Sequence, residues 1–304
     1  MEATPDARLT RARTCLSALS VGDAFGERFF FDGKADWRIE TRTPPPFEGG
    51  WRWTDDTAMA AGLLRHLQIL DEIDDDNVDE LATRWATLYM HDPYRGYGPH
   101  IQGLLTRIYA GGNWRTLARE PFDGTGSMGN GSAMRTAPLG AWFADRRDDP
   151  QFIADQAKRS ADITHPHPDG VAGAIAVALA TAYGWDRAPD EVRDGVYGYL
   201  LPHLPCGPTR RGVEEAAGLP HDAEPTDVAR YLGNGSRVTC PDTVPLCLWI
   251  AAAFAGEFEG AIWATVSTRG DVDTTCAIVG GIISGQRNVS VPQAWLNARH
   301  ALPG

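Results

Sequence analysis

Between Thr268 and Gly285 the chain reads Thr-Arg-Gly-Asp-Val-Asp-Thr-Thr-Cys-Ala-Ile-Val-Gly-Gly-Ile-Ile-Ser-Gly, two carboxylates followed at once by an apolar run. Cys276, Ala277, Ile278, Val279, Ile282 and Ile283 read as a helix buried on all sides. Gly280, Gly281 and Gly285 would let other groups approach it closely. Residues two apart do not share a helix face. Asp271 and Asp273 can therefore converge only where a loop turns into the helix, with Asp273 or Thr274 near its first turn. The same device stands at Trp53-Thr54-Asp55-Asp56-Thr57, ahead of Ala58, Met59, Ala60, Leu63 and Leu64.

Helix capping would explain one acid per start, because Asp and Thr cap well and the positive helix end favours carboxylates. Here each of two starts carries two acids and neighbouring hydroxyls. If the two starts met inside the fold, four carboxylates would share a desolvated site, which is unfavourable without cations. An all-oxygen donor set suits Mg²⁺, Mn²⁺ or Ca²⁺ rather than zinc. Spacing alone leaves capping and a metal site both open.

The 304 residues suffice for one large domain or two small ones, and a hydrophobic content of 43% supplies a core. A net charge of −12 argues against a nucleic-acid backbone as partner, but not against one phosphorylated ligand held by local donors. Cys15, Cys206, Cys240, Cys247 and Cys276 are scattered without a C-x-x-C pair, which fits reduced thiols and a cytoplasmic location. The first residues lack an apolar signal core, and no apolar run reaches membrane-span length.

In chain order, Leu9, Ala12, Leu16 and Leu19 predict an amphipathic helix over 5–21. It leads into Gly22-Asp23-Ala24-Phe25-Gly26-Glu27, whose two glycines suit packing against another backbone. Phe31 to Gly50 reads as irregular, with Pro44-Pro45-Pro46 inside it. Helices are expected from Thr54 to about Leu70, Leu81 to Tyr89 and Ile101 to Tyr109, with a plain turn at Arg95-Gly96-Tyr97-Gly98-Pro99. Ser127-Met128-Gly129-Asn130-Gly131-Ser132-Ala133-Met134-Arg135 is a loop whose glycines could aim main-chain N–H groups at an anion, although a tight turn would look the same. Thr164-His165-Pro166-His167 precedes an alanine-rich buried helix over Val171 to Tyr183. No matching Cys or His set accompanies those histidines, so phosphate contact or capping is the better reading than zinc. Leu201 to Pro220 is rich in Pro and Gly, and 201–245 reads as a surface excursion that ends in a ligand-lining loop. Almost no period-2 alternation is present, so the class is all-α in one compact domain.

Five of these strings, in this order, resemble the ADP-ribosylglycohydrolase family of the dinitrogenase-reductase-activating and ADP-ribosyl-acceptor hydrolase types: Gly22-Asp23-Ala24-Phe25-Gly26, Thr54-Asp55-Asp56-Thr57, Gly129 to Arg135, Thr164-His165 and Gly270-Asp271-Val272-Asp273-Thr274. Each is short, but five collinear matches are specific and favour the metal reading. The resemblance implies an all-helical orthogonal bundle around a cleft with two Mg²⁺ or Mn²⁺ ions. It carries the metal ligands over to Thr54, Asp55, Asp56, Asp271, Asp273 and Thr274, with Asp23 behind them. Ser127, Met128, Gly129, Asn130, Gly131, Ser132 and His165 would hold the diphosphate and ribose, and Gly235 and Ser236 would line the adenosine side. The implied reaction is hydrolysis of an ADP-ribose conjugate, arginine-linked by default, by metal-activated water at the distal ribose C1″. Asp55, Asp56 and Asp273 would serve the chemistry, and the implied partner is ADP-ribose or an ADP-ribosylated protein.

Three positions depart from the pattern. Relatives usually carry glutamate where this chain has Phe30, glycine where it has Arg269, and threonine where it has Val272. If the first helix continues, Glu27 lies one turn before Phe30 and is the candidate substitute acid; otherwise it is a solvated neighbour of Arg28. Loss of the usual acid leaves open a catalytically weak ADP-ribose-binding module, and a different ADP-ribose conjugate as substrate is the remaining alternative.

Overall fold

The computed structural model describes residues 4–30 and 32–303. Among these, sixteen α-helices succeed one another. The first eight are α1 Pro5–Glu27, α2 Ala35–Thr41, α3 Asp55–Leu70, α4 Val78–His91, α5 Pro99–Tyr109, α6 Trp114–Leu117, α7 Ala137–Trp142 and α8 Pro150–Asp162. The rest are α9 Pro168–Gly184, α10 Pro189–Leu200, α11 Pro208–Ala217, α12 Pro225–Leu232, α13 Cys240–Ala253, α14 Phe258–Ser267, α15 Val272–Ile283 and α16 Gln293–Ala298. The all-α expectation holds: among the described residues the only strand-like pairings are two isolated bridges, Trp51 with Arg299 and Gly129 with Thr239.

Two helices form the spine. α1 and α15 run antiparallel, and small residues place backbone against backbone at one-turn intervals. A Cβ at Gly22 would stand 2.2 Å from the Cys276 carbonyl oxygen, and one at Gly26 would stand 2.3 Å from that of Val272. One turn further along, Gly280 meets the Ala18 carbonyl in the same way. No side chain larger than hydrogen fits these points, so the glycine spacing read from the sequence fixes how the two helices pack. α9, apolar on every face, is buried against this spine, as its sequence requires. A single cluster of buried hydrophobic side chains extends from Ala12 to Ala298.

Several boundaries differ from expectation. The first helix does not stop at 21 but continues to Glu27, because Gly22 and Gly26 are its contact face and not its end. Within the segment read as irregular, α2 forms at Ala35–Thr41, while Phe31 lies outside the described residues. The Asp32 carboxylate organises α2 by accepting from the Lys34 amide and the Arg38 guanidinium. The Pro- and Gly-rich stretch after Leu201 is largely helical. Pro208 and Pro225 occupy first-turn positions, where the missing N–H costs nothing, and open α11 and α12. α11 buries Thr209, Val213 and Ala216, and Gly212 rests on Pro245 of α13. No helix of the described residues is long and apolar enough to cross a membrane.

Candidate metal and ligand site

The spine brings three chain segments together at one end. Asp23 lies in the penultimate turn of α1, Asp56 in the first turn of α3, and Asp273 in the first turn of α15. One carboxylate oxygen from each falls within 4.8 Å of the other two. Asp271 precedes α15 with non-helical backbone (φ −85, ψ 69), so the chain turns there as the two-residue spacing required.

Each acid is held differently. Asp23 is fully buried and accepts from the Thr54 amide (2.9 Å), the Thr57 amide (3.1 Å) and the Thr57 hydroxyl (2.5 Å). It therefore caps α3 from outside that helix and sets where α3 begins. On Asp56, Oδ2 accepts from the Thr54 hydroxyl at 2.8 Å and the Thr274 hydroxyl at 3.5 Å. Its other oxygen, Oδ1, is buried without any hydrogen-bond partner. Asp273 accepts from the Thr274 amide, and Asp271 from the Asn130 side-chain amide at 2.7 Å. Asp55 is partly exposed at the edge of the group, with its amide donating to the Arg95 carbonyl at 2.6 Å.

Burial, joined by the neighbouring aspartates at Asp55, Asp56 and Asp273, raises these carboxylates above their ordinary range. Burial pushes Asp23 up to about 6. Burial and then the neighbouring Asp23 push Asp55 up to about 8. Asp56 and Asp273 are raised well above the usual value, first by burial and then by the surrounding aspartates, and Asp271 is raised by burial. Protein groups alone do not compensate so many buried anions. An orphaned acceptor on Asp56 and an all-oxygen donor set are what a hard divalent cation requires, so these residues fit such an ion.

The glycine loop lies beside the acids. Asn130 to Ser132 forms one short 3₁₀ turn, and the loop joins the 233–240 segment through the Asn130 amide to Val238 O and the Cys240 amide to Met128 O. Ser127 Oγ accepts from the Gly129 amide, while Met128 is exposed at the tip. The Ser132 hydroxyl is turned away into the fold, donating to Gly170 O at 2.7 Å. Gly235, with φ +84, is buried against Asp271, where a Cβ would stand 2.9 Å from the Asp271 Cβ; Ser236 beside it is exposed.

His165 fills the space the loop glycines leave open. A Cβ at Gly129 would lie 3.0 Å from its Nε2, and one at Gly131 would lie 2.8 Å from its Cε1. Its ring is oriented from behind. Arg135, fully buried over the Trp85 ring at 4.0 Å, donates to Ser160 O and to Thr164 Oγ1, both at 2.8 Å. An arginine only donates, so the Thr164 oxygen accepts, and its own proton is free to point to His165 Nδ1 at 2.7 Å. With the Thr164 hydroxyl donating to Nδ1, the His165 proton sits on Nε2, on the loop side. Burial, then Arg135, then His100 hold the His165 pKa well below its ordinary value, so the ring is neutral.

Two supports escaped the sequence. The Arg95 to Pro99 turn is a wall of the site: Arg95 stacks over Trp53 at 3.6 Å and donates to Trp53 O, and Gly96 (φ +92) leaves room for Asp55 Oδ1. Gly96 is far from Asp55 along the chain, so no local sequence signal joined them. Arg135, a cation buried beneath the loop, was visible only as part of a motif. Glu27 is the last residue of α1 and half-buried; burial raises its pKa against the opposing pull of Arg52, and its charge in turn raises Asp55. Phe30 lies beyond the helix and is exposed, so Glu27 and Phe30 do not share a helical face as the continuation of α1 would have required.

The sequence profile of ADP-ribosylglycohydrolases matches residues 4–302. ADP-ribosylhydrolase ARH3 of Xenopus tropicalis is 36% identical over 80% of this chain and 76% of its own length. The Homo sapiens protein of the same name is 27% identical over 94% and 88%. The ADP-ribosyl-[dinitrogen reductase] glycohydrolase of Rhodospirillum rubrum is 26% identical over 94% and 89%. A solved structure described as an ADP-ribosylglycohydrolase-related protein complex shares the fold, with a TM-score of 0.65 at 22% identity over 97% of this chain and 94% of that one. With the collinear motifs gathered at one end of an all-helical bundle, the chain belongs to the ADP-ribosylglycohydrolase family, a family of glycohydrolase enzymes.

Proposed function

We propose that this protein is a divalent-cation-dependent hydrolase that frees ADP-ribose from an acceptor, with arginine-linked ADP-ribose as the default conjugate. The observation that carries this reading is the buried meeting of Asp23, Asp56 and Asp273, with one Asp56 oxygen unpartnered. The proposed holders of two Mg²⁺ or Mn²⁺ ions are Thr54, Asp55, Asp56, Asp271, Asp273 and Thr274. When bound, such ions supply Lewis-acid polarisation and lower the pKa of water.

The chain's own residues supply the rest. Asp23 sets the start of α3 and adds its charge to the ring of carboxylates that would stabilise positive character at the distal ribose. The neutral His165 donates from Nε2 beside the Gly129 to Gly131 backbone, which suits the diphosphate. Ser127 and Met128 belong to the loop proposed to hold the diphosphate and ribose, and Gly235 and Ser236 are proposed for the adenosine side. In the reaction a water oxygen bonds to C1″ as the bond from C1″ to the acceptor nitrogen breaks, and the water's proton ends on that nitrogen. Glu27, half-buried and electrostatically linked to Asp55, is proposed to carry the proton. The single buried cluster supports one domain over 1–304, and the five unpaired cysteines support a cytoplasmic location.

Incubation with arginine-, serine- and O-acetyl-linked ADP-ribose, with Mg²⁺ or Mn²⁺ and with chelator, tests this. Cation-dependent release of free ADP-ribose is expected. Phe30, in place of the usual acid, favours the second reading: intact ADP-ribose binding with no release from any conjugate would make the protein a binding module.

A further inference from the structure

A cavity of 570 Å³ opens on the flank of the spine, between α1, α3, α4 and the end of the chain. Its wall carries Leu16, Leu64, Leu88 and Leu302. Its charged members are Arg13, Arg65 and Arg84, and among the described residues no carboxylate lines it, although the chain as a whole carries a net charge of −12. Among the described residues none of the three guanidinium groups makes an ion pair, and only Arg65 has a side-chain partner, Gln68. Arg84 Nε is buried with no hydrogen-bond partner at all. The nearest acids on α4, Asp79 and Glu80, line an adjoining groove that shares Arg84 and Leu88 with this cavity; Asp79 is taken by Trp114 and Arg115, and Glu80 makes no ion pair with Arg84.

Three like charges gathered around an apolar floor, one with a buried unmet donor, repel one another unless an anion joins them. A bare inorganic ion would leave the leucine floor uncovered. The volume lies within the roughly 300–1,000 Å³ typical of small-molecule sites. We propose that this cavity is a second ligand site, for a small amphipathic organic anion. Its carboxylate or phosphate head lies among Arg13, Arg65 and Arg84, and its apolar body lies on Leu16, Leu64, Leu88 and Leu302. The site is distinct from the acidic cluster: Ser17, on its wall, precedes Asp23 by six residues, about 9 Å along α1.

Calorimetric titration of the full-length protein with octanoate and octyl phosphate tests the site, with octylammonium and inorganic phosphate as controls, in the presence and absence of saturating ADP-ribose. One equivalent of octanoate or octyl phosphate should bind, unaffected by ADP-ribose. Octylammonium and inorganic phosphate should bind at least about tenfold more weakly. Arg84→Gln should weaken octyl phosphate binding about tenfold or more, and Arg84→Lys less, since a charged hydrogen bond is worth that much. Arg65→Gln, at the exposed rim, provides the same comparison should Arg84→Gln fail to fold. The proposal is overturned if octylammonium binds as well as octanoate, if the arginine variants bind unchanged, if ADP-ribose displaces the anion, or if neither octanoate nor octyl phosphate binds.

Discussion

Asn130 donates its side-chain amide to Asp271 at 2.7 Å, joining the glycine loop directly to the acidic turn before α15. The same amide reaches Thr243 on α13 at 3.1 Å. Loop and acids are therefore parts of one assembly, not two neighbours. Asn130→Ala should weaken ADP-ribose binding by about tenfold, and Asn130→Asp should weaken it further by setting a like charge against Asp271. Titration calorimetry with ADP-ribose reads both effects.

Asp56→Ala and Asp273→Ala should each remove at least one divalent ion and abolish turnover while leaving the helical circular dichroism intact. Elemental analysis of the purified variants checks this. An Asp273→Ala protein that retains the wild-type metal content would break the site assignment.

The raised carboxylate pKa values make the metal-free protein sensitive to base. A carboxyl whose folded pKa exceeds its unfolded value stabilises the fold at low pH and loses that contribution as pH rises through the folded value. For Asp23 and Asp55 the window runs from the ordinary value near 4 to about 6 and about 8. With chelator present, the melting temperature should therefore fall as pH climbs through this window, and saturating Mg²⁺ or Mn²⁺ should flatten the fall. Scanning fluorimetry across pH, with and without cation, measures it.

His165 should be neutral with its proton on Nε2, and Thr164→Val should abolish that preference by removing the donor to Nδ1. Nitrogen NMR of the imidazole reports the tautomer directly. Both Thr164→Val and His165→Ala should weaken ADP-ribose binding by roughly 1–3 kcal/mol, with a smaller effect on metal binding. Equal loss of metal and nucleotide would show that His165 supports the fold instead.

Glu27→Gln keeps the shape of the side chain and removes its charge. A rate loss of about 100-fold with unchanged ADP-ribose affinity is the result expected of a proton carrier. Unchanged turnover would leave Glu27 as an electrostatic neighbour of Asp55 and no more.

The sequence made the acidic helix starts legible because two carboxylates exceed what capping needs, and Gly22 and Gly26 legible because their four-residue spacing marks a helix face. What joins distant segments was not legible. Asn130 and Asp271 lie 141 residues apart, and nothing local to either names the other. Asp23 on its own reads as a satisfied buried acid, and only the fold shows it both satisfied by α3 and grouped with Asp56 and Asp273. The Arg95 to Pro99 segment has the composition of any turn until Gly96 is seen against Asp55. α11 and α12 were hidden because a helix-opening proline and a loop proline look alike in one dimension.

The contact of Gly22 and Gly26 with the α15 backbone has a consequence for the acids. Main chain touches main chain there, so the spacing between the Asp23 and Asp273 helices cannot be adjusted by exchanging one side chain for another. Gly22→Ala or Gly26→Ala should cost about 1–3 kcal/mol or more, seen as a lower urea midpoint with unchanged slope. The seam acts as a fixed gauge for the distances between the acids. A side chain added at this seam would have to push both helices apart, and with them both acids.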